Sequence, residues 1–529
     1  MSDARASAIA WIEATRPQWS DWTRTIWGFG ETAWREYRSV DFYVDLLTAA
    51  GFAVEKGSAG MPTAFCAIWE NGSGPTIGGY AEYDGVPGNC QAADTVRRPR
   101  DGLSPQAGGH TDPHSALGTA ALAGFLAAKH AMETNGIKGR LKFFGEPAEK
   151  VRGSKPLHAA RGYYDDLDAA ISFHPFYMLP LCNTVRWDTH CGAAYAMVYS
   201  FSCDAPETWL AAGSDSPIPA SHAEARAPGA NDAVVQMYLS AKALKEHLAG
   251  TGVSWSMNEA ILTMGQATAD NIPAGLAQIQ YIMRVPTLEM AEHITRGLDH
   301  YADSAARLAH CSWRRDWVCK SRPGLANHAM ARATYRNLAA AGAPRFDGEA
   351  VRLAREIQRN LGFEPMESPY LPAVSELIAP EEAERRLRRV LPPSQMHFTS
   401  DDYTEYCWHA PTARLYVGRP ALRAPAPGYA YPAWVMNALG GLSPCIDPMV
   451  ESAGKTIALT VLDLLTDEAL LAAAQAEFVE RTGGGIGGEH WLPPLADYDP
   501  PIHFRWPEYV ETPRGREWVI PATPWDGAG

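Results

Sequence analysis

The chain has 529 residues, 46% of them apolar and 20% charged, and is long enough to bury large cores in two or more domains. A net charge of −14 at pH 7, without a stripe of Lys and Arg, argues against binding to nucleic acid or anionic membranes. No apolar run is long enough to span a membrane and no basic start precedes an apolar core, so we expect a cytoplasmic protein. Nine scattered cysteines without a CxxC pair predict neither a disulfide framework nor a zinc ribbon.

The first part of the chain alternates predicted helices and strands. Residues 4–51 carry apolar side chains at helical spacing, and Gly51 supplies a stop signal. Short strands are predicted at residues 63–70, 75–82, 141–144 and 169–173. A helix rich in Ala and Leu is predicted at 115–133. Strands that alternate with helices and end in polar residues predict an α/β sheet with a site at its carboxyl edge.

The pattern changes near residue 190. Strands and helices are predicted in alternation at residues 195–202, 231–248, 276–284 and 287–309. This block predicts a separate α+β domain at 191–315, inserted into a catalytic domain formed by 1–190 and 316–529. The catalytic domain includes a late helix near 447–465. From Gly483 onward the chain is rich in Pro, Gly and Trp, which predicts an ordered wrap with little regular structure.

Three short clusters combine the residue types of a hydrolytic metal centre. Asp112 and His114 stand two residues apart directly before a helix, and His174 ends a separate strand. Two imidazoles and a carboxylate form a set that suits Zn, Mn or Fe(II) and leaves positions open for water and substrate. Glu149 ends another strand, where it is placed to accept a proton from water whose pKa the metal lowers. The clusters therefore predict metal-dependent hydrolysis.

Several segments resemble the two-metal aminoacylase and carboxypeptidase-G superfamily. The resemblance is to the amidohydrolase branch with aminobenzoyl-glutamate hydrolases and indole-acetyl-amino-acid hydrolases. The similar segments are residues 81–88 (AEYDGVPG), 109–121 (GHTDPHSALGTAA), 145–149 (GEPAE), 173–175 (FHP), 221–223 (SHA), 271–273 (NIP), 400–402 (SDD), 440–441 (GG) and 477–484 (EFVERTGG). They follow one another in order from about residue 28 to 485. The resemblance implies an α/β fold, with a catalytic domain whose mixed sheet is flanked by helices and an inserted α+β lid or dimerisation domain.

The resemblance also implies roles for individual residues. His114 and His174 match metal ligands, and Glu149 matches the general acid and base. Asp84 matches a carboxylate that orients a ligand. Asp112 stands where this branch has a bridging cysteine, and an aspartate has that bridging role elsewhere in the superfamily.

Two positions depart from the family pattern. Lys150 stands where a metal-binding glutamate is expected, and Asp447 where a metal-binding histidine is expected. An ammonium repels a metal, so we predict a Lys150–Asp447 ion pair in place of the first metal. One divalent ion, Zn or Mn, is then expected on Asp112, His114 and His174. Lys150 would polarise the substrate carbonyl or anchor the substrate.

Three further residues are predicted to serve the substrate. In the resembled family, the histidine equivalent to His222 reaches across a dimer to stabilise the oxyanion; a capping or surface role is the alternative. Asn271 is expected to support the oxyanion region or the lid hinge. Arg284 is a candidate to bind a substrate carboxylate, although most arginines are simply solvated. Asp447, the expected partner of Lys150, is also predicted to contribute to substrate binding.

The predicted activity is hydrolysis of an amide C–N bond in a small N-acyl or aryl-amide substrate, by a homodimer or larger homo-oligomer. Two alternatives stay open. One is an aromatic-amine deaminase, to which the remodelled site would be suited, and the other is a non-catalytic or metal-free partner of an active homologue. Retention of Glu149 and of three metal ligands favours the hydrolase.

Overall fold

The computed structural model describes residues 3–204, 226–248, 252–265 and 273–519. The α-helices are α1 Asp3–Ala14, α2 Arg16–Phe29, α3 Tyr37–Ala49, α4 His114–Asn135, α5 Ser154–Ala160, α6 Ala230–Leu248, α7 Leu288–Leu308, α8 His328–Ala341, α9 Gly348–Asn360, α10 Pro380–Arg388, α11 Ala433–Gly441, α12 Ser443–Thr466 and α13 Glu468–Thr482. The strands are β1 Ala53–Lys56, β2 Phe65–Glu70, β3 Thr76–Ala81, β4 Arg140–Gly145, β5 Ala169–Pro175, β6 Thr184–Val185, β7 His190–Ser202, β8 Ser256–Thr263, β9 Leu276–Val285, β10 Ser312–Ser321, β11 His397–Ser400, β12 Thr412–Val417, β13 Glu508–Thr512 and β14 Gly515–Val519.

A seven-stranded mixed sheet forms the centre of the molecule, in the order β1-β2-β4-β3-β5-β12-β6. Strands β3, β4, β5 and β12 are parallel, whereas β1, β2 and β6 are antiparallel to their neighbours. Every residue of β3, β5 and β12 is buried, as expected for parallel strands covered by helices on both faces. The predicted α/β class, with a mixed sheet flanked by helices, is confirmed.

Helix α4 lies close against the sheet and begins at the candidate site. Its residues from His114 to Ala128 are all buried. Two glycines permit the close approach. A Cβ on Gly79 of β3 would lie 2.3 Å from the Phe125 ring, and a Cβ on Gly118 of α4 would lie 2.8 Å from the Glu82 carbonyl oxygen. The helix is thereby held directly against the end of β3, which fixes the position of its first residue.

A second sheet has its own hydrophobic core. Its strands run in the order β10-β7-β9-β8, with β11 pairing to β7, and helices α6 and α7 cover it. This region spans residues 190–321 and corresponds to the predicted inserted α+β block. Its last strand, β10, extends past residue 315, and the boundaries given from the sequence stay a prediction.

The end of the chain packs against the segment between α2 and α3. Between α13 and β13 the tail has no helix or strand, and β13 and β14 then form a hairpin. Arg35 is bound by tail atoms, namely the Glu508 carboxylate at 3.0 Å and the Phe504 carbonyl at 3.1 Å. No helix within the described ranges is both long and apolar enough to cross a membrane.

Candidate functional site

The carboxyl edge of the parallel strands gathers most of the predicted residues. Glu82 follows β3, the loop with Glu149 and Lys150 follows β4, and His174 lies near the end of β5. His114 begins α4 at the same edge. Topology therefore brings together residues that are distant in sequence, as the rule for open α/β sheets predicts.

The loop after β4 holds Glu149 in a constrained turn. Glu149–Val151 is a single 3₁₀ turn, flanked by Ala148 (φ 56°) and Arg152 (φ 60°), both in the left-handed region. Such backbone strain is costly for residues with a Cβ and concentrates at functional sites. The Ala148 amide donates to Glu36 Oε1 at 2.7 Å, which anchors the turn. Glu149 and Lys150 are thus held with their side chains in the cluster.

Asp84 fixes the orientation of His114. The imidazole Nδ1 lies 2.7 Å from Asp84 Oδ1, and the other Asp84 oxygen accepts from the Lys150 amide at 2.8 Å. Since a carboxylate accepts, Nδ1 is the donor, and Nε2 faces the centre of the cluster. Burial and Lys150 would lower the pKa of His114, but Asp84 and Glu82 raise it above its ordinary value. This is the contact expected of a residue that orients a ligand.

Lys150 is embedded in the cluster, and its contacts correct one expectation. Its Nζ lies 2.9 Å from Asp112 Oδ2, 2.8 Å from His114 Nε2 and 3.5 Å from Glu149 Oε2. Burial alone would lower the pKa of Lys150, but Asp112 and Glu149 raise it above its ordinary value, so the ammonium is charged. The partner of Lys150 is Asp112, and the expected Lys150–Asp447 pair does not form.

Asp447 lies in a different part of the molecule, near the start of α12. Its neighbours are Ser20, Arg16 and Arg24. It lines a cavity of about 630 Å³ together with Arg345 and other polar side chains. Burial raises the pKa of Asp447 to about 6. The sequence assignment of Asp447 to the metal cluster is therefore wrong.

Asp112 and His174 approach each other as expected. Their Oδ2 and Nε2 atoms are 3.5 Å apart, and Asp112 Oδ2 is 3.7 Å from His114 Nε2. His174 Nδ1 donates to the Pro175 carbonyl at 2.6 Å, so Nε2 faces the cluster. Asp112 Oδ1 is 3.3 Å from the Arg419 guanidinium. Both oxygens of Asp112 are therefore already opposite protein cations.

The sequence reasoning missed Glu82 as a member of the site. Glu82 is fully buried; its Oε1 accepts from Lys155 at 2.8 Å, whereas its Oε2 accepts no hydrogen bond from the described residues. Oε2 lies 3.3 Å from His114 Nε2. Burial raises the pKa of Glu82 to about 7 although Lys155 opposes the shift. An acidic residue directly after β3, within a family-like segment, was the available signal.

Lys155 joins Glu82 to a second missed carboxylate. It is fully buried and donates to Asp402 Oδ1 at 2.7 Å. Asp402 Oδ2, like Glu82 Oε2, has no hydrogen-bond partner among the described residues. Burial raises the pKa of Asp402 well above its ordinary value. The neighbouring Asp401 is paired with Arg414.

Glu149 is ionised in this arrangement. Burial alone would raise its pKa, but Arg152, Lys150 and His114 hold the pKa of Glu149 well below its ordinary value. Arg152 binds Oε1, and Oε2 lies 3.3 Å from His114 Nε2. One carboxylate oxygen is thus fixed by Arg152 and the other faces the imidazole.

Several donor atoms of the site lie close enough together to hold a metal ion. Three groups of possible ligand atoms lie within 4.8 Å of one another in the described part of the chain: Glu82, His114 and His174; Asp84, His114 and Glu149; and Glu82, Asp401 and Asp402. The first offers two imidazole nitrogens and an unpartnered carboxylate oxygen, which is suitable for one divalent ion. The Lys150 ammonium lies on the Asp112 side of the cluster, 2.9 Å from Asp112 Oδ2.

Arg284 lies at a cavity next to this cluster. The cavity has a volume of about 360 Å³ and contains Arg152, Arg284, Trp255, Ser256, Tyr177 and Phe398 among its lining residues. Burial, with a further contribution from Arg152, lowers the pKa of Arg284 to about 10, and Glu149 opposes the shift. His222 and Asn271 lie outside the described residues.

Comparison with known proteins agrees with this architecture. A search of protein-family models gives no match. The aminobenzoyl-glutamate utilization protein from Klebsiella pneumoniae has a similar fold, with a TM-score of 0.53 at 14% identity over 87% of this chain and 99% of that chain. The chain is a homologue of one of the subunits of p-aminobenzoyl-glutamate hydrolase from Escherichia coli (strain K12). The two are 26% identical over 487 residues, or 89% of this chain and 94% of that protein. The resemblance predicted from the sequence is confirmed.

Proposed function

We propose that the chain is an amidohydrolase that cleaves the C–N bond of a small N-acyl or aryl-amide substrate. The observation that carries the proposal is the ionised Glu149 carboxylate, whose Oε2 faces His114 within a buried cluster at the carboxyl edge of the sheet. Homology to a hydrolase subunit supports it. A cytoplasmic location is part of the same proposal.

The proposed enzyme uses one divalent cation, Zn or Mn. His114, His174 and a carboxylate would hold it. When bound, such an ion activates water and polarises a carbonyl group. The Lys150 ammonium, 2.9 Å from Asp112 Oδ2, would polarise the carbonyl or anchor the substrate from the Asp112 side.

Glu149 is proposed to transfer the proton. Arg152 binds Oε1, so Oε2, which lies 3.5 Å from the Lys150 ammonium, would be the oxygen that accepts the proton. The protonated carboxyl group can then give the proton to the departing nitrogen. The pairing with Arg152 makes Glu149 a weak base, so an anionic substrate that draws Arg152 away would strengthen it.

The proposed substrate carries a carboxylate next to an aromatic or apolar group. Arg284 and Arg152 supply positive charge to the neighbouring cavity, and Trp255 and Phe398 supply aromatic walls. Among the described residues no acidic side chain pairs with Arg284, so its charge is available to a ligand. Asp447 lines a different cavity, so it has no part in binding this carboxylate.

The oxyanion contact is proposed to come from residues of the inserted region. His222 would reach the site from the partner subunit of a homodimer, and Asn271 would support it. Sedimentation at micromolar concentration would detect the dimer. Mixing a His222→Ala chain with a Glu149→Gln chain would restore part of the turnover if His222 acts across the interface.

A substrate screen tests the proposal. N-acyl amino acids and aryl amides, with and without a carboxylate, are incubated with protein supplied with Zn or Mn, and released amine and ammonia are measured separately. Amine release supports the amidohydrolase, whereas ammonia release alone indicates a deaminase. The second candidate function is that of a non-catalytic partner, which would release neither product. The contact between Lys150 and His114 favours it, because the ammonium occupies a nitrogen that a metal would need.

A further inference from the structure

The buried oxygen of Glu82 shares a small space with two imidazole nitrogens. We propose that Glu82, His114 and His174 form the divalent-cation site of this chain, with Glu82 in place of Asp112 as its carboxylate ligand. The proposal deepens the proposed function, because it places the cation at the same catalytic centre.

Glu82 is held as a ligand would be. Lys155 fixes Oε1 at 2.8 Å, and this contact directs Oε2 toward the histidines. A buried carboxylate oxygen without a hydrogen-bond donor destabilises the fold, because it loses its hydrogen bonds to water and gains none in the protein. The atom opposite it is His114 Nε2 at 3.3 Å, and the other nitrogen of this ring donates to Asp84. A cation between Glu82 Oε2 and His114 Nε2 would satisfy both atoms, in competition with the Lys150 ammonium that contacts Nε2 at 2.8 Å.

His174 completes the set from another strand. Its Nδ1 is bonded to the Pro175 carbonyl, so Nε2 is directed toward the same space. The ligand atoms of Glu82, His114 and His174 all lie within 4.8 Å of one another, and all three residues are buried. Two nitrogens and one oxygen form a set that binds Zn, Mn, Co or Fe(II).

Asp112 is less suited to the same role. Its Oδ2 is 2.9 Å from the Lys150 ammonium and its Oδ1 is 3.3 Å from Arg419. Both oxygens of Asp112 are therefore in contact with protein cations, whereas Glu82 meets a cation, Lys155, at Oε1 only. Lys150 also contacts His114 Nε2 at 2.8 Å and so competes with a cation for this nitrogen. When a cation binds His114 Nε2, Lys150 would stay hydrogen-bonded to Asp112.

Metal binding without substrate tests the proposal. Full-length protein is stripped with a chelator and titrated with Co²⁺, whose visible spectrum reports nitrogen ligands, and bound metal is counted after equilibrium dialysis. The wild type is expected to bind one equivalent. Glu82→Gln is expected to weaken Co²⁺ binding by about 100-fold or more, and Asp112→Asn by less than about 5-fold. Lys150→Met, which removes the competitor, is expected to tighten binding.

Matched controls separate ligand loss from misfolding. Asp402→Asn alters the other carboxylate held by Lys155 and is expected to keep Co²⁺ binding. Circular dichroism checks the fold of each variant. The proposal is overturned if Glu82→Gln binds Co²⁺ as tightly as the wild type, or if Asp112→Asn or Asp402→Asn abolishes binding while the fold is retained. Turnover is assayed separately, so a failed metal site would leave the amidohydrolase proposal to its own screen.

Discussion

The two sides of the buried cluster differ in how their charges are compensated. On one side, Asp112 is matched by Lys150 and Arg419, and its oxygens are all in polar contact. On the other, Glu82 keeps one oxygen without a donor beside two imidazoles. Lys150, at a position where a metal ligand is expected, neutralises the Asp112 side without a metal. A cation is therefore proposed on the Glu82 side.

The largest expected effect is on turnover, from a residue that lies between the two sides. Glu149→Gln keeps the shape of the side chain but removes the proton acceptor, and should lower kcat by about 10³-fold. Metal content should be unchanged. Glu133→Gln, an exposed change on α4, serves as the control. Near-normal turnover of Glu149→Gln, in a protein with measurable amidase activity, would remove Glu149 from the proton-transfer role.

The Glu82 side also depends on Lys155 for stability. Lys155→Met would leave Glu82 and Asp402 as uncompensated buried carboxylates, and should lower the free energy of unfolding by about 3–5 kcal/mol. The deficit should shrink at pH 5, where both carboxyl groups bind protons. Lys56→Met, which removes an exposed lysine, should change stability by less than about 1 kcal/mol. Urea unfolding measures the free energy of unfolding of both variants. An equal decrease in the two would contradict the importance of burial around Lys155.

The cavity beside the cluster predicts a selective effect on substrate binding. Arg284→Met should raise KM about 10- to 100-fold for substrates with a carboxylate and leave KM for neutral analogues nearly unchanged, since a charge-assisted contact is lost. Arg226→Met is the matched control, because Arg226 is already paired with Asp232 at 2.7 Å. Equal effects on charged and neutral substrates would contradict an anion-binding role.

The smallest expected effect concerns Asp447, which lies outside both sides. Its pKa of about 6 is raised above the value of an unfolded chain, so folding favours the protonated form. Stability from this group is present at pH 4 and is lost as pH rises through about 6. Asp447→Asn should therefore stabilise the protein by about 2 kcal/mol at pH 7.5 and have little effect at pH 4.

Two readouts accompany this change. Turnover and metal content of Asp447→Asn should match the wild type, because Asp447 does not contact Lys150. Asp499→Asn, a fully exposed change, should alter stability at neither pH. A lower metal content in Asp447→Asn than in the wild type would show that Asp447 contributes to metal binding.

Much of the fold was predictable from local patterns. The helix predicted at 115–133 is α4, and the apolar run at 169–173 is β5, because burial on both faces leaves a continuous apolar signal. The charge pairs were not predictable. Which cation meets Asp112, and which oxygen of Glu82 lacks a donor, depend on side-chain positions set by packing between distant strands. Asp447 was misassigned because residue counting across α11 and α12 cannot fix which side of a helix faces the site.

An anomalous diffraction map of crystals grown with Zn²⁺ tests the central claim most directly. The account predicts one peak per chain, about 2.1 Å from Glu82 Oε2 and from the Nε2 atoms of His114 and His174, with Lys150 bonded to Asp112. Two peaks, or one peak bound by Asp112 with Glu82 turned away, would contradict it.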